Sequence, residues 1–365
     1  VRIGIPSEVK TREYRVAVTP AGVHALIRQG NTVVVQQGAG VSAGLADDEY
    51  LAAGAKVVPD APSVWGESEL VVKVKEPIPS EYSYFRPDLS LFTFLHLAAD
   101  RPLTEALLAS GMTAIAYETV RVNGALPLLT PMSEIAGRLA VAVGSNLLMR
   151  SHGGPGILLG GIAGAAPARV VILGGGVAGE HAATVAVGMG ASVTVVDISL
   201  PRLRELDRSF GGRVRTVAST PWDIEAALDD ADLVVGSVLL PGAAAPKLVS
   251  KDMIARMRSG SVLMDIAIDQ GGCFEGSRPT THDYPTFQVH DATLYCVANM
   301  PGSVPVTATR ALTNATLPFV LELAGRGVDR ALSEVTGLGE GLNIRDGEIA
   351  NRGVEASYSA SVSLG

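Results

Sequence analysis

Gly174, Gly176 and Gly179, in VVILGGGVAGEHAATVAVGMGASVTVVD, have the type and spacing needed to hold a phosphate. They form G-x-G-x-x-G directly after an apolar β-type run and at the start of a helical pattern. The first glycine permits a tight turn, the second lets pyrophosphate approach the backbone, and the third lets helix and strand pack closely. Phosphates would then meet the N–H groups and positive dipole of the helix start. Asp197 ends the next strand, where a carboxylate receives adenosine ribose hydroxyls and repels a 2′-phosphate. NAD is therefore expected over NADP. Arg202 follows and would soften that preference; an exposed helix arginine is the other reading.

Further polar residues fall where a ligand of an open α/β sheet would lie, beyond the carboxyl ends of strands. In FTFLHLAAD, residues 92–100, His96 interrupts an apolar run. Alone it reads first as a packed histidine, because histidines are often partly buried. The alternative is a proton-transfer group at a strand end. In VVKVKEP, Lys73 and Lys75 share one side of an alternating strand that Pro77 ends. A solvated edge is the plain reading, yet Lys75 at the strand exit would reach into a cleft. In LMDIAIDQGG, Asp265 and Asp269 lie on one expected strand, and either could be a turn carboxylate. Asp269, at the strand's last position, is better placed to face a nicotinamide. In EYRVAVTP, Arg15 precedes the first helix. Its planar guanidinium would grip a substrate carboxylate with two hydrogen bonds, and an ordinary loop arginine is the alternative. With these groups all at strand ends, His96 reads as catalytic. The other histidines (His24, His152, His181, His282 and His290) lack such surroundings. No Cys/His spacing suggests zinc, and no nucleophile motif is present.

To position these groups the chain alternates apolar β-type runs with helical patterns, the mark of parallel α/β architecture. One series of strands is expected at 2–5, 32–36, 70–74, 91–95 and 113–117, with a helix over 19–30 opened by Thr19 and Pro20. A second series is expected at 168–174, 192–197, 213–218, 232–238, 261–268 and 293–297, enough for a complete dinucleotide-binding sheet. Helical patterns at 131–150 and 304–327 separate and follow the second series. The expected fold is α/β, with two doubly wound parallel-sheet domains and a cleft between them. A Rossmann NAD-binding domain covers 129–304, and a discontinuous Rossmann-like substrate domain is made from 1–128 and 305–365. The tail from about 331 has weak patterning.

Composition agrees with such a fold. The 365 residues are 47% hydrophobic, enough for two cores, and 41 glycines suit many tight βα turns. A net charge of −8 without a basic run argues against nucleic acid and anionic membranes. Cys273 and Cys296 are too few for a disulfide framework, so a reducing cytoplasm is expected. The start, VRIGIPSEVK, lacks the apolar core of a signal peptide. The uncharged stretch SHGGPGILLGGIAGAAPA is broken by glycine and proline, whereas a bilayer-spanning helix needs roughly 20 mostly apolar residues.

The blocks EYRVAVTPAGV, LVVKVKEP, LFTFLHLAA, LPLLTPMSEIAGRLA, DIAIDQGGCFEGSRPTTHDYPTF and YCVANMPGSVP closely resemble the NAD-dependent L-alanine dehydrogenases. The resemblance runs from residue 2 to about 325. It implies reversible oxidative deamination of L-alanine to pyruvate and ammonium, with NAD as cofactor, in a homohexamer. It implies that Arg15 and Lys75 bind the substrate carboxylate or carbonyl, and that His96 and Asp269 are the catalytic pair. Around NAD it places Ser133, Val177, Ala178, Asp197, Arg202, Ser219, Val238, Leu239 and Arg278, with Ile266, Ala267, Ile268 and Asp269, and Val297, Ala298, Asn299 and Met300. Some relatives hold a divalent metal with a histidine and a glutamate like Glu118; the matching position here is Arg326, so no metal is expected. The alternatives are an NAD-binding subunit related to proton-translocating transhydrogenase, whose relatives lack the FLHLA histidine, and a dehydrogenase of another small amino acid.

Overall fold

The computed structural model describes residues 1–238 and 245–362, and every count or absence below refers to those residues. Two compact units are present, one from Val1–Met132 with the chain from Gly302 onward, the other Ser133–Pro301. The first unit opens with β1 (Arg2–Ile5), α1 (Pro20–Arg28), β2 (Thr32–Gln36), β3 (Lys56–Val58), β4 (Leu70–Val72), β5 (Ser90–Thr93) and β6 (Thr113–Ala116). These strands are all parallel and lie in the order β6-β5-β4-β1-β2-β3.

After α2 (Thr130–Leu147), the second unit contains β7 (Arg169–Leu173), α3 (Val177–Gly188), β8 (Ser192–Asp197), α4 (Leu200–Phe210), β9 (Val214–Ala218), β10 (Leu233–Gly236), β11 (Val262–Asp265), β12 (Thr286–Val289) and β13 (Ala292–Tyr295). Its order is β12-β13-β11-β10-β7-β8-β9, parallel except for the edge strand β12. Without the antiparallel edges, both sheets follow one doubly wound order, 3-2-1-4-5-6 in each unit's own strand sequence. Each therefore has a topological switch point beside its first strand, where loops diverge to opposite faces and leave a crevice.

The strands read as continuous apolar runs because both faces are covered. Along β7, Val170 and Ile172 join one buried cluster with Ala182 and Ala186 of α3. Their neighbours Val171 and Leu173 join the cluster on the opposite face with Ile224 and Leu228. In the first unit Val71, Leu91 and Ala114 of adjacent strands share a core with Leu103 and Leu107.

Several strands are shorter than the apolar runs suggested. β4 stops at Val72, β5 at Thr93 and β11 at Asp265, and polar groups seize the backbone amides just beyond two of these ends. The weakly patterned tail forms regular elements as far as residue 362. After α5 (Pro305–Arg326) come β14 (Leu342–Arg345) and β15 (Glu348–Ile349); β14 extends the first sheet antiparallel to β6, and β15 pairs antiparallel with β14 at the sheet edge. Asp346 and Gly347 turn between them at φ 52° and 78°, the left-handed pair a tight hairpin requires. A closing helix spans Arg352–Val362.

Candidate active site

In the first unit the segment after β1 is charged where the second unit has its glycines. Glu8 accepts the amides of Val74 (2.6 Å) and Lys75 (3.3 Å), which ends β4. The expected alternation through Lys73 and Lys75 therefore fails. Lys73 turns inward, fully buried, to Glu81 at 2.7 Å and Glu8 at 3.4 Å. Burial opposes its charge, but Glu8 and Glu81 outweigh it and raise its pKa above the ordinary lysine value. A lysine so placed must be paired. Lys75, beyond the strand, stays partly exposed and meets Glu76 Oε2 at 3.3 Å.

Glu76 was not singled out by sequence reasoning, yet it is the hub of this cluster. It pairs with Lys10 through Oε1, and its Oε2 faces both Lys75 and His96 Nδ1, the latter at 3.6 Å. That separation is longer than a hydrogen bond. Both facing atoms are buried and neither has a hydrogen-bond partner. Burial pushes the Glu76 carboxyl up, but His96, Lys75 and Lys10 outweigh it and hold the group well below the usual carboxylate range. The available signal was a carboxylate directly after Lys75.

His96 lies just past β5 with φ 53° and ψ 34°, a left-handed conformation uncommon for any residue with a Cβ. The Glu118 carboxylate enforces it by accepting the His96 amide at 2.6 Å and the Leu95 amide at 3.2 Å. Such conformations persist only where surroundings over-determine them, and they cluster at functional sites. Phe94, itself edge-on to Tyr117, lies 5.8 Å from the imidazole centroid and walls it. The imidazole is 38% exposed, so one edge faces Glu76 while the ring remains open to solvent.

Arg15 is not an ordinary loop arginine, being buried and gripped by Glu13. Nε and Nη2 donate to the two Glu13 oxygens at 2.6 Å each, and Nη1 approaches Met132 Sδ at 2.9 Å. Glu13 is a second residue the sequence did not reveal. Topology gathers these side chains: Arg15 follows β1, Lys75 follows β4 and His96 follows β5, three adjacent strands at the switch point.

The second unit carries its candidate residues on the same edge of its own sheet. The turn after β7 fits a nucleotide phosphate. Gly174 has φ 96°, and a Cβ at Gly179 would stand 1.8 Å from the Gly174 carbonyl oxygen. A Cβ at Gly176 would meet nothing, leaving the backbone there open to approach. Gly176 caps α3 without any side-chain hydrogen bond, so the first N–H groups of a 12-residue helix lack the usual acceptor. Asp197 accepts the Gly175 amide through Oδ2 and the Ser199 amide through Oδ1, each at 2.7 Å. A carboxylate has further lone pairs for ribose hydroxyls.

Ser219, Val238, Ile266, Ala267, Ile268, Val297, Ala298, Asn299 and Met300 follow the carboxyl ends of β9, β10, β11 and β13. Val297 and Met300 bury their side chains in the sheet core, so only their backbone could face a ligand. Ser133 stands one helical turn before Gly137, whose Cβ would be 2.0 Å from the Ala178 carbonyl oxygen, so its face of α2 packs on the glycine turn. Arg278 stacks on Phe287, 4.5 Å from the ring centroid. Leu239 lies outside the described residues.

The expectation of one strand through Asp265 and Asp269 is corrected. Asp265 ends β11 and is buried, and it receives the amides of Cys273 and Phe274 and the Ser277 hydroxyl. This folds the chain back through Gly271 and Gly272, both at positive φ. A Cβ on Gly272 would lie 2.4 Å from Asp265 Oδ2. Asp269 therefore sits exposed on the short 3-10 turn Ile268–Gln270. Asp265 is the structural carboxylate of the pair, and burial raises its pKa despite these hydrogen bonds.

Comparison with known proteins identifies the scaffold. Residues 4–136 match the model "Alanine dehydrogenase/PNT, N-terminal domain", and residues 140–352 match "Alanine dehydrogenase/PNT, C-terminal domain". The chain belongs to the alanine dehydrogenase/PNT family. Within this family it is 57% identical to an alanine dehydrogenase of Mycolicibacterium smegmatis, over 96% of this chain and 95% of that one. It is 50% identical to that of Bacillus subtilis, over 96% and 93%. A solved L-alanine dehydrogenase superposes with a TM-score of 0.95 at 50% identity, covering 99% of both chains. A transhydrogenase from Sinorhizobium meliloti shares the fold, with a TM-score of 0.81 at 24% identity over 96% of this chain and 99% of that one. In this alanine dehydrogenase/PNT chain, Arg326 is ion-paired with Glu322 and Glu334, and no group of three or more His, Cys, Asp or Glu could hold a metal ion.

Proposed function

We propose that this chain catalyses the reversible reaction of L-alanine, NAD⁺ and water to give pyruvate, ammonium, NADH and a proton. The observation that carries the proposal is His96, held in a left-handed backbone by Glu118 and faced by Glu76, at the switch point that also presents Arg15 and Lys75. The relatives named alanine dehydrogenase supply the substrate.

NAD, when bound, supplies the acceptor for the hydride that leaves the substrate Cα. The amides of Val177 and Ala178 and the Asp197 carboxylate would hold its pyrophosphate and ribose. Arg15, its plane fixed by Glu13 on Nε and Nη2, would anchor the substrate carboxylate. The Lys75 ammonium stabilises the substrate oxygen as charge develops there. His96 takes a proton from the water that adds to the carbon–nitrogen double bond. It then returns a proton to the departing nitrogen. With Nδ1 turned to Glu76 Oε2, 3.6 Å away, Nε2 is the atom left to work on the substrate. Asp269 completes the catalytic pair by orienting the amine.

We further propose a cytoplasmic homohexamer that works without nucleic acid or membrane. Its two cysteines are free and buried, as suits a reducing compartment, and no helix is long and apolar enough to cross a membrane.

The deciding assay follows NADH oxidation with pyruvate plus ammonium, against glyoxylate plus ammonium and 2-oxoglutarate plus lysine. The fastest turnover is expected with pyruvate and ammonium. Preference for either other pair, or no turnover with any, would refute the proposal.

A further inference from the structure

Arg202 stands where a cation could accept a 2′-phosphate, yet all three of its nitrogens are already engaged. Nε donates to the Gly175 carbonyl at 2.6 Å. Nη1 pairs with Glu205 at 2.7 Å, one turn on along α4, and Nη2 pairs with Glu180 in the first turn of α3. The Gly175 peptide is thereby bracketed, its carbonyl held by Arg202 and its N–H by Asp197. Around the expected ribose position this set brings three carboxylates, Asp197, Glu180 and Glu205, against one guanidinium.

We infer that Glu180 and Glu205 are specificity-determining residues that exclude 2′-phosphorylated nucleotides by locking the Arg202 guanidinium away from the ribose. The inference rests on the reading that this glycine turn binds NAD. Asp197 alone repels a 2′-phosphate but leaves any neighbouring cation able to offset that repulsion. The two glutamates remove the offset, because a guanidinium with its donors committed to carboxylates gains little by turning to a phosphate. Arginine's planar fork makes the lock geometric as well as electrostatic. Neither glutamate is needed as a ligand of NAD itself, so NAD binding and NADP exclusion are separable in this site.

Equilibrium binding of NADH and of NADPH, each followed by nucleotide fluorescence without turnover, tests the inference. The comparison is between the unsubstituted chain, the double variant Glu180→Gln/Glu205→Gln, and a triple variant that adds Arg202→Gln. Glutamine keeps the length and an acceptor oxygen but removes the charge. The double variant is expected to bind NADPH about fivefold more tightly than the unsubstituted chain, the upper end of one added exposed charge pair, with NADH affinity within about twofold. The triple variant should lose that gain. An unchanged NADPH affinity in the double variant, with NADH binding intact, overturns the inference. So does an equal gain in both variants, which would reduce the effect to bulk charge. Loss of NADH affinity in the double variant would assign the glutamates to building the turn and also overturn it. Failure of the unsubstituted chain to bind NADH would instead overturn the coenzyme reading on which the inference stands.

Discussion

His96 keeps its backbone at φ 53° because Glu118 collects two consecutive amides, and its imidazole faces Glu76 because β4 ends early enough to present that side chain. The ring is thus placed from two strands at once. His96→Ala is expected to lower turnover by about 10²–10⁴-fold while leaving NADH affinity intact, as stopped-flow rates and titration would read. A variant with near-normal turnover would end its assignment. Glu76→Gln should lower kcat by about tenfold or more with a smaller change in KM, since it acts on the imidazole rather than on substrate. The same carboxyl has a depressed folded pKa against an ordinary value of 4.5. Its stabilising contribution is therefore present above that value and fades as pH falls below it. Urea unfolding should show a larger gap between the unsubstituted chain and Glu76→Gln at about pH 7 than at about pH 4; a constant gap would contradict the ion-pair account. His96, Lys75 and Arg15 were legible by residue type at strand ends. Glu76 and Glu13 were not, because their significance lies in which side chain they face, and no spacing rule records that; nor was the role of Glu118, whose carboxylate meets the Leu95 and His96 amides, distant in the chain.

At the scale of elements, the glycine turn between β7 and α3 joins local pattern with tertiary need. Gly174 must take a positive φ, whereas Gly179 must let helix and strand close to contact. Gly179→Ala would drive a methyl into the Gly174 carbonyl. A loss of about 1–3 kcal/mol in stability and a marked rise in the NADH dissociation constant are expected, by thermal unfolding and titration. Unchanged NADH affinity would separate this turn from coenzyme binding. Asp197→Ala should also weaken NADH binding, and by leaving the Gly175 and Ser199 amides without their acceptor it should lower stability by about 1–3 kcal/mol in thermal unfolding. The turn after β11 shows where periodicity misleads. LMDIAID reads as one apolar strand, but Asp265 draws the amides of Cys273 and Phe274 back to itself and leaves Asp269 on an exposed turn. A buried carboxylate with several donors outweighs the β-propensity of two isoleucines, and those donors lie beyond any local window.

At the scale of the whole molecule, the uncharged segment after α2 exposes Leu158 and Ile162, at 62% and 70%. Sedimentation velocity is expected to report a hexamer, and a monomer at micromolar concentration would remove that part of the proposal. The sequence alone determined two parallel α/β units, the strand that precedes the glycine turn, and the cations and carboxylates at strand ends, because apolar runs and helix caps are local properties of the chain. It did not determine β14 and β15, which are too short to declare themselves and are stabilised by pairing, β14 with β6 and β15 with β14. Nor did it determine strand order. Only tertiary structure set β1 between β4 and β2, and so brought the loops bearing Arg15, Lys75 and His96 to one switch point. Hydrogen bonding between strands far apart in sequence, and burial of ion pairs such as Lys73 with Glu8 and Glu81, are settled by what surrounds each residue rather than by its neighbours in the chain.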